Sequence, residues 1–133
     1  MTFRGGNPNP MVEEEIRRSI GSLKALKEYP GEKLVNDANK LANLKRDLKT
    51  AQLRKIYAEV KRMEMEFKKK DGFHRDRVVL LKPKLTYAAN KKPEVGPLKD
   101  VLIACIDKVQ DEADFKRFID FFEAVLAYHR GVR

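Results

Sequence analysis

The sequence predicts an all-α fold, a compact single-domain helical bundle of five or six helices over residues 11–133, with a flexible N-terminal tail at 1–10. Three observations lead there. Apolar residues return every three or four positions along most of the chain, the spacing of one helix face. Glycine (7) and proline (6) are sparse, and no polar low-complexity segment interrupts the pattern. The one run that could be a strand on periodicity alone, Val78 to Leu81, has no second strand to pair with. At 133 residues the chain can bury one modest core.

The elements follow in order. Pro10 suits a first helical turn, Glu13 to Glu15 lie near the positive end of the dipole, and Val12, Ile16, Ile20, Leu23 and Leu26 recur about one turn apart. Gly21 weakens this helix and Tyr29-Pro30-Gly31 stops it. From Glu32 a second helix carries Leu34, Val35, Ala38, Leu41 and Ala42 on one face, and Asp47 and Thr50 supply a break and a new cap. The third runs from Leu48 to Lys70, with Leu53, Ile56, Tyr57, Val60, Met63 and Phe67 covering an arc of about 120° at 100° per residue. After Asp71-Gly72, a fourth helix spans the Val78 to Leu81 run, with a kink or restart at Pro83. Pro97 starts a core helix bearing Leu98, Val101, Leu102, Cys105, Ile106 and Val109. The last helix opens at Asp111, a cap that Asp114 can answer in the manner of a capping box; Phe115, Phe118, Ile119, Phe122, Val125, Leu126 and His129 share its face. Phe121 and Tyr128 fall off that stripe, which means either a wide buried face or a contact with another subunit; burial is favoured in a terminal helix clasped by others.

The net charge of +9 is concentrated in the middle of the chain. Between Lys40 and Lys92 there are 17 Lys+Arg against 6 Asp+Glu, and the remainder is slightly acidic. A basic segment between near-neutral flanks is the pattern of a polyanion-binding surface, whereas a face made only for solubility tends to mix its signs. On the third helix, with Leu53 at zero, Lys68, Lys61 and Arg54 fall at about 60° to 100° and Lys69, Arg62 and Lys55 at about 160° to 200°, two adjacent basic stripes. Glu59 and Glu66 stand beyond them at about 240° and 220°. Lys45, Arg46, Lys61, Arg62, Lys91 and Lys92 are therefore candidate nucleic-acid contacts by position in this segment. The start of the third helix is a further candidate. Its unpaired amides, ringed by Lys49, Gln52, Arg54 and Lys55, form either a phosphate site or an ordinary helix capped by Thr50.

Little points to catalysis. His74 and His129 have no neighbour at metal-ligand spacing, no Cys-x-x-Cys pair exists, and the only glycine doublet lies in the tail, so no metal, cofactor or nucleotide-binding motif is expected. His129 reads as a histidine at a helix C-terminus, and Cys105 as a buried free thiol. Tyr57 belongs to the core arc, while Tyr87 beside Lys84 either stacks on a base or simply packs. No apolar run approaches the ~18 residues of a membrane span, and the opening is short and polar, so a cytoplasmic protein without a membrane partner is expected.

Three segments, "LKTAQLRKIYAEVKRME", "LLKPKLTYAANKK" and "FKRFIDFFEAVLAYHR", in this order and spacing resemble the small subunit of the type III-A CRISPR-Cas effector, the Csm complex. The resemblance runs from about Leu41 to Arg130, and "FFEAVLAYH" is its most specific piece. It implies a non-catalytic, all-helical RNA-binding subunit. Such a subunit stacks in several copies beside the backbone subunit and the large subunit, and lines the channel that holds guide RNA and target RNA. The positions that match the family segments are Lys49, Gln52, Arg54 and Lys55 in the first and Lys82, Lys84 and Tyr87 in the second. Where the family often has an arginine, Asn90, Lys91 and Lys92 stand here, keeping charge without the guanidinium fork. The rival reading of the same basic face is a stand-alone helical adaptor for an acidic protein partner.

Overall fold

The structure, a computed structural model, describes residues 10–44, 51–69 and 72–129. Among the described residues every regular element is helical: α1 (Pro10–Gly21), α2 (Gly31–Ala42), α3 (Ala51–Lys69), α4 (Arg75–Val79), α5 (Leu81–Lys91), α6 (Gly96–Asp107) and α7 (Glu112–Tyr128), with 3₁₀ turns at Leu26–Glu28 and Pro93–Val95. The all-α expectation holds. The tail and the Asp47–Thr50 break lie outside the described residues.

α7 is the organising element. It packs against α2, α3, α6 and the Leu26–Glu28 turn, while α6 also meets α1 and α5. One side of the α6–α7 pair is thus covered by α1 and α2, and another by α3 and α5. The core they enclose is continuous, and rings connect much of it: Phe67 meets Phe73 and Phe115, which leads through Phe118 to Phe122 and Tyr57.

Four local expectations are corrected. The first helix ends at Gly21, well short of Tyr29: Gly and Ser are poor helix formers, and Ser22 turns its hydroxyl back onto the Ser19 carbonyl. The chain then bends so that the Lys27 amide can donate to Asp114, a tertiary tie that a continued helix would forbid. In α2, Val35 is 39 % exposed and Asp37 takes the buried place beside Leu34, Ala38 and Leu41. Asp37 tolerates burial because Tyr29 donates its hydroxyl to it at 2.6 Å and Lys33 stands 3.4 Å away. The fourth helix divides at Leu80, between α4 and α5, rather than at Pro83; the proline sits in the first turn of α5, where a missing N–H leaves no bond unmade. Asp111 caps α7 as expected, accepting from the Asp114 amide at 2.9 Å, but Asp114 answers elsewhere, accepting from the amides of Lys27 and Gln110. Of the two off-stripe aromatics, Phe121 is buried and stacked on Tyr29, so the inward face of α7 is wide, while Tyr128 stays 37 % exposed.

Candidate nucleic-acid interface

α3 and α5 lie side by side and carry most of the described candidate residues. On α3 the buried arc of Leu53, Ile56, Val60, Met63 and Phe67 turns inward. Tyr57 at its margin is half-buried, edge-on to Phe122 and donating to Glu123 at 3.1 Å. With that arc fixed, the stripe centred about 180° away, containing Lys55 and Arg62, points straight at solvent. Neither residue forms an ion pair among the described residues.

The other α3 stripe is less positive than sequence spacing suggested. Glu64, at about 20° and so on the edge of the apolar arc, receives Lys61 at 3.0 Å and lies 4.0 Å from Lys68. Hydrogen bonding to Glu64 raises the Lys61 pKa above the ordinary lysine value, so this ammonium is charged at any working pH. Its side chain remains 46 % exposed, which leaves it reachable by a second anion. Arg54 is exposed on the same stripe.

On α5, helical spacing separates the two lysines that the sequence placed together. Lys82 points to the α6 side and pairs with Asp107, whereas Lys84, about 200° further round, turns to α3 and meets both oxygens of Glu59 at 3.0 Å. Tyr87 and Lys91 share the Lys84 side. Tyr87 is 60 % exposed, and the Lys91 ammonium stands 5.5 Å from its ring centre. Lys92, exposed, ends the helix. Between α3 and α5 runs a groove of about 350 Å³, walled by Ile56, Pro83 and Tyr87 and edged by Gln52, Lys55 and Glu59.

The structure thus gathers Gln52, Lys55, Arg62, Lys84, Lys91 and Tyr87 on one face, keeps Lys61 and Arg54 at its margin, and sends Lys82 elsewhere. Lys45, Arg46 and Lys49, and with them the proposed phosphate site beside Thr50, lie outside the described residues. Two central arginines that swelled the local charge serve the fold: Arg75 donates to the Val109 carbonyl at 2.8 Å, and Arg77 pairs with Glu66 across the Phe67 ring. What sequence reasoning missed is the acidic partner set. Glu64 was visible at i+3 from Lys61 and i−4 from Lys68 and could have been found by that spacing; the Lys82–Asp107 and Lys84–Glu59 pairs are tertiary.

Cys105 and His129 are both packed into the fold. Cys105 is fully enclosed, and burial pushes its thiol well above the ordinary value, away from the thiolate a nucleophile needs. His129 is buried with Nδ1 3.1 Å from the Ala42 carbonyl, holding the end of α7 to α2. Among the described residues no three His, Cys, Asp or Glu side chains cluster as metal ligands, and no helix is long and apolar enough to cross a membrane.

No curated protein and no solved structure matches the chain. A family model does: the one described as Csm2 Type III-A matches residues 28–133, a span that takes in α2 to α7 and the whole basic face and leaves α1 outside. The match covers most of the chain, and the three segments with family resemblance fall within it. The chain therefore belongs to the Csm2 Type III-A family, a structural subunit of the type III-A Csm effector complex.

Proposed function

We propose that this subunit is non-catalytic and lines the channel for guide RNA and target RNA, with the α3–α5 face against the sugar-phosphate backbone and other faces against the backbone subunit, the large subunit and further copies of itself, in the cytoplasm. The observation that carries the reading is the outward stripe of α3. Lys55 and Arg62 are exposed and unengaged by any described carboxylate, beside the Lys84, Tyr87 and Lys91 flank of α5. A rigid wall that holds RNA by its phosphates needs positive charge free for anions and few groups aimed at base edges. A stand-alone adaptor does not suit a chain whose family is a complex subunit.

The test is the salt dependence of binding to single-stranded RNA. If the face engages four or five phosphates, log affinity falls against log salt with a slope of about −3, from roughly −0.7 per contact. The double substitution Lys55→Glu with Arg62→Glu is expected to weaken binding at least about tenfold at low salt and to flatten the slope by about 1.4, with thermal unfolding unchanged. A flat response in the unsubstituted protein, or indifference to the double substitution, removes the proposal.

A further inference from the structure

Resting on the reading above, we infer that the groove between α3 and α5 receives one unpaired nucleobase of the bound strand, laid against Tyr87. The position of Tyr87 motivates this. A tyrosine on an amphipathic helix normally turns its ring into the core or hydrogen-bonds its hydroxyl, but this one is 60 % exposed and its hydroxyl has no hydrogen bond among the described residues. The ring instead walls a groove, with Lys91 held 5.5 Å from its centre.

The groove has the makings of a base site. At about 350 Å³ it falls at the lower end of the range that small-molecule sites occupy, roughly 300 to 1,000 Å³. Ile56, Pro83 and Tyr87 give it apolar walls, to which a base offers its π-face. At its edge stand an amide, Gln52, and a carboxylate, Glu59, which can hydrogen-bond to the polar edge of a base; Lys84 holds the carboxylate in place through both oxygens. Lys55 edges the same groove and begins the outward stripe that Arg62 continues two turns on, about 10.5 Å along α3. A strand whose phosphates follow that stripe passes the groove mouth. The bases of a continuous duplex are stacked and turned inward, so only an unpaired nucleotide can fill it. The charge around the groove decides against the other occupant, an apolar side chain of a protein neighbour: Lys55 and Lys84 outnumber Glu59 on its rim and Lys91 stands beside Tyr87, which favours a ligand that brings anionic groups with its flat apolar part.

Anisotropy of the full chain with two labelled probes tests this: a single-stranded oligouridylate and the same oligomer with abasic sugars. The unsubstituted protein is expected to bind the base-bearing oligomer about tenfold more tightly, the effect of one base stacked on an aromatic ring, with equal salt slopes for the two. Tyr87→Ala should erase that difference while leaving abasic binding as it was, and Tyr87→Phe should keep it. Equal binding of the two probes by the unsubstituted protein overturns the base site but leaves the phosphate-binding face standing. Loss of both probes on Tyr87→Ala also overturns it, since the ring then acts on the charged surface alone. If Tyr87→Ala spares RNA binding but prevents recovery of the chain with its Csm partners, the groove is a protein contact. If the unsubstituted chain binds neither oligomer, the base site and the phosphate face fall together.

Discussion

The two sides of the bundle use their cations in opposite ways. Where α1, α2 and the Leu26–Glu28 turn meet α6 and α7, basic side chains close internal gaps: Lys108 donates to the Leu23 carbonyl at 2.8 Å, and Arg117 gives two bonds to the Tyr29 carbonyl at 2.7 and 3.0 Å. Each satisfies a backbone oxygen that the irregular connection between α1 and α2 leaves without a helical partner. On the α3–α5 side the backbone is satisfied within long helices, so Lys55 and Arg62 are left to solvent. A lysine count cannot separate these uses; the regularity of the neighbouring backbone can. Irregular chain draws cations onto its carbonyls, whereas along regular helix they meet carboxylates, as Lys61 and Lys84 do, or stay in solvent, as Lys55 and Arg62 do.

If this contrast is right, the two sides differ first in stability. The largest effect is expected from Phe121→Ala, which empties a fully buried position stacked on Tyr29 at 5.9 Å and should lower the unfolding free energy by about 3–5 kcal/mol in a denaturant titration. Asp114→Ala comes next. It removes the acceptor for the amides of Lys27 and Gln110, both at 2.9 Å, in a side chain that is almost wholly buried, and two stranded donors should cost about 2–4 kcal/mol. A loss below about 1 kcal/mol would show that water replaces those bonds and that the polar ties are incidental.

The buried side also carries an alkaline limit. Burial first, and then donation to Asp37, raise the Tyr29 hydroxyl far above the tyrosine reference value of 10.0, and burial raises the Cys105 thiol above its reference of 9.0. The folded chain keeps both protons at a pH where the unfolded chain releases them. Their contribution is therefore complete below about pH 9 and declines as pH rises, at up to about 1.4 kcal/mol per pH unit for each group once past its unfolded value. Stability measured from pH 8 to 11 should fall in two stages, with Cys105→Ala abolishing the first and Tyr29→Phe the second. A profile flat to pH 11 would mean that water reaches both groups.

What the sequence made legible follows the same division. Wherever an element is held by its own periodicity, as in α3 and α6, the expected core positions are the buried ones, Val109 just beyond α6 included, with Tyr57 alone only half-buried at the margin of the α3 arc. Asp111 was readable as a cap because capping is local. The end of α1 at Gly21 and the inward turn of Asp37 were hidden because each depends on a partner outside its own helix: Asp114 fixes Lys27, and Tyr29 fixes Asp37. The basic face was legible in its location but less so in its membership. Angles around one helix placed Lys55 and Arg62 outward, yet could not show that α6 would claim Lys82 or that Glu59 would bridge to Lys84.

The smallest stability effect is the one that bears most directly on function. Lys55→Ala and Arg62→Ala delete exposed side chains without a described ion pair, so each should change the unfolding free energy by no more than about 0.5 kcal/mol. Lys84→Ala breaks a half-exposed pair with Glu59 and should also stay within about 1 kcal/mol. Their effects on RNA should separate. Lys55→Ala and Arg62→Ala are each expected to flatten the log-log salt slope by about 0.7, the value of one lost phosphate contact on a single strand. Lys84→Ala removes a cation whose charge Glu59 already opposes, so it should change the slope less, and Glu59→Gln should strengthen RNA binding by freeing Lys84 for phosphate. Equal slopes for the three cation deletions, with Glu59→Gln leaving binding unchanged, would mean that the ion pairs open on binding and that internal pairing does not decide which cations meet RNA. A separation in the expected order would show that the acidic partners, as much as the lysines, define the face.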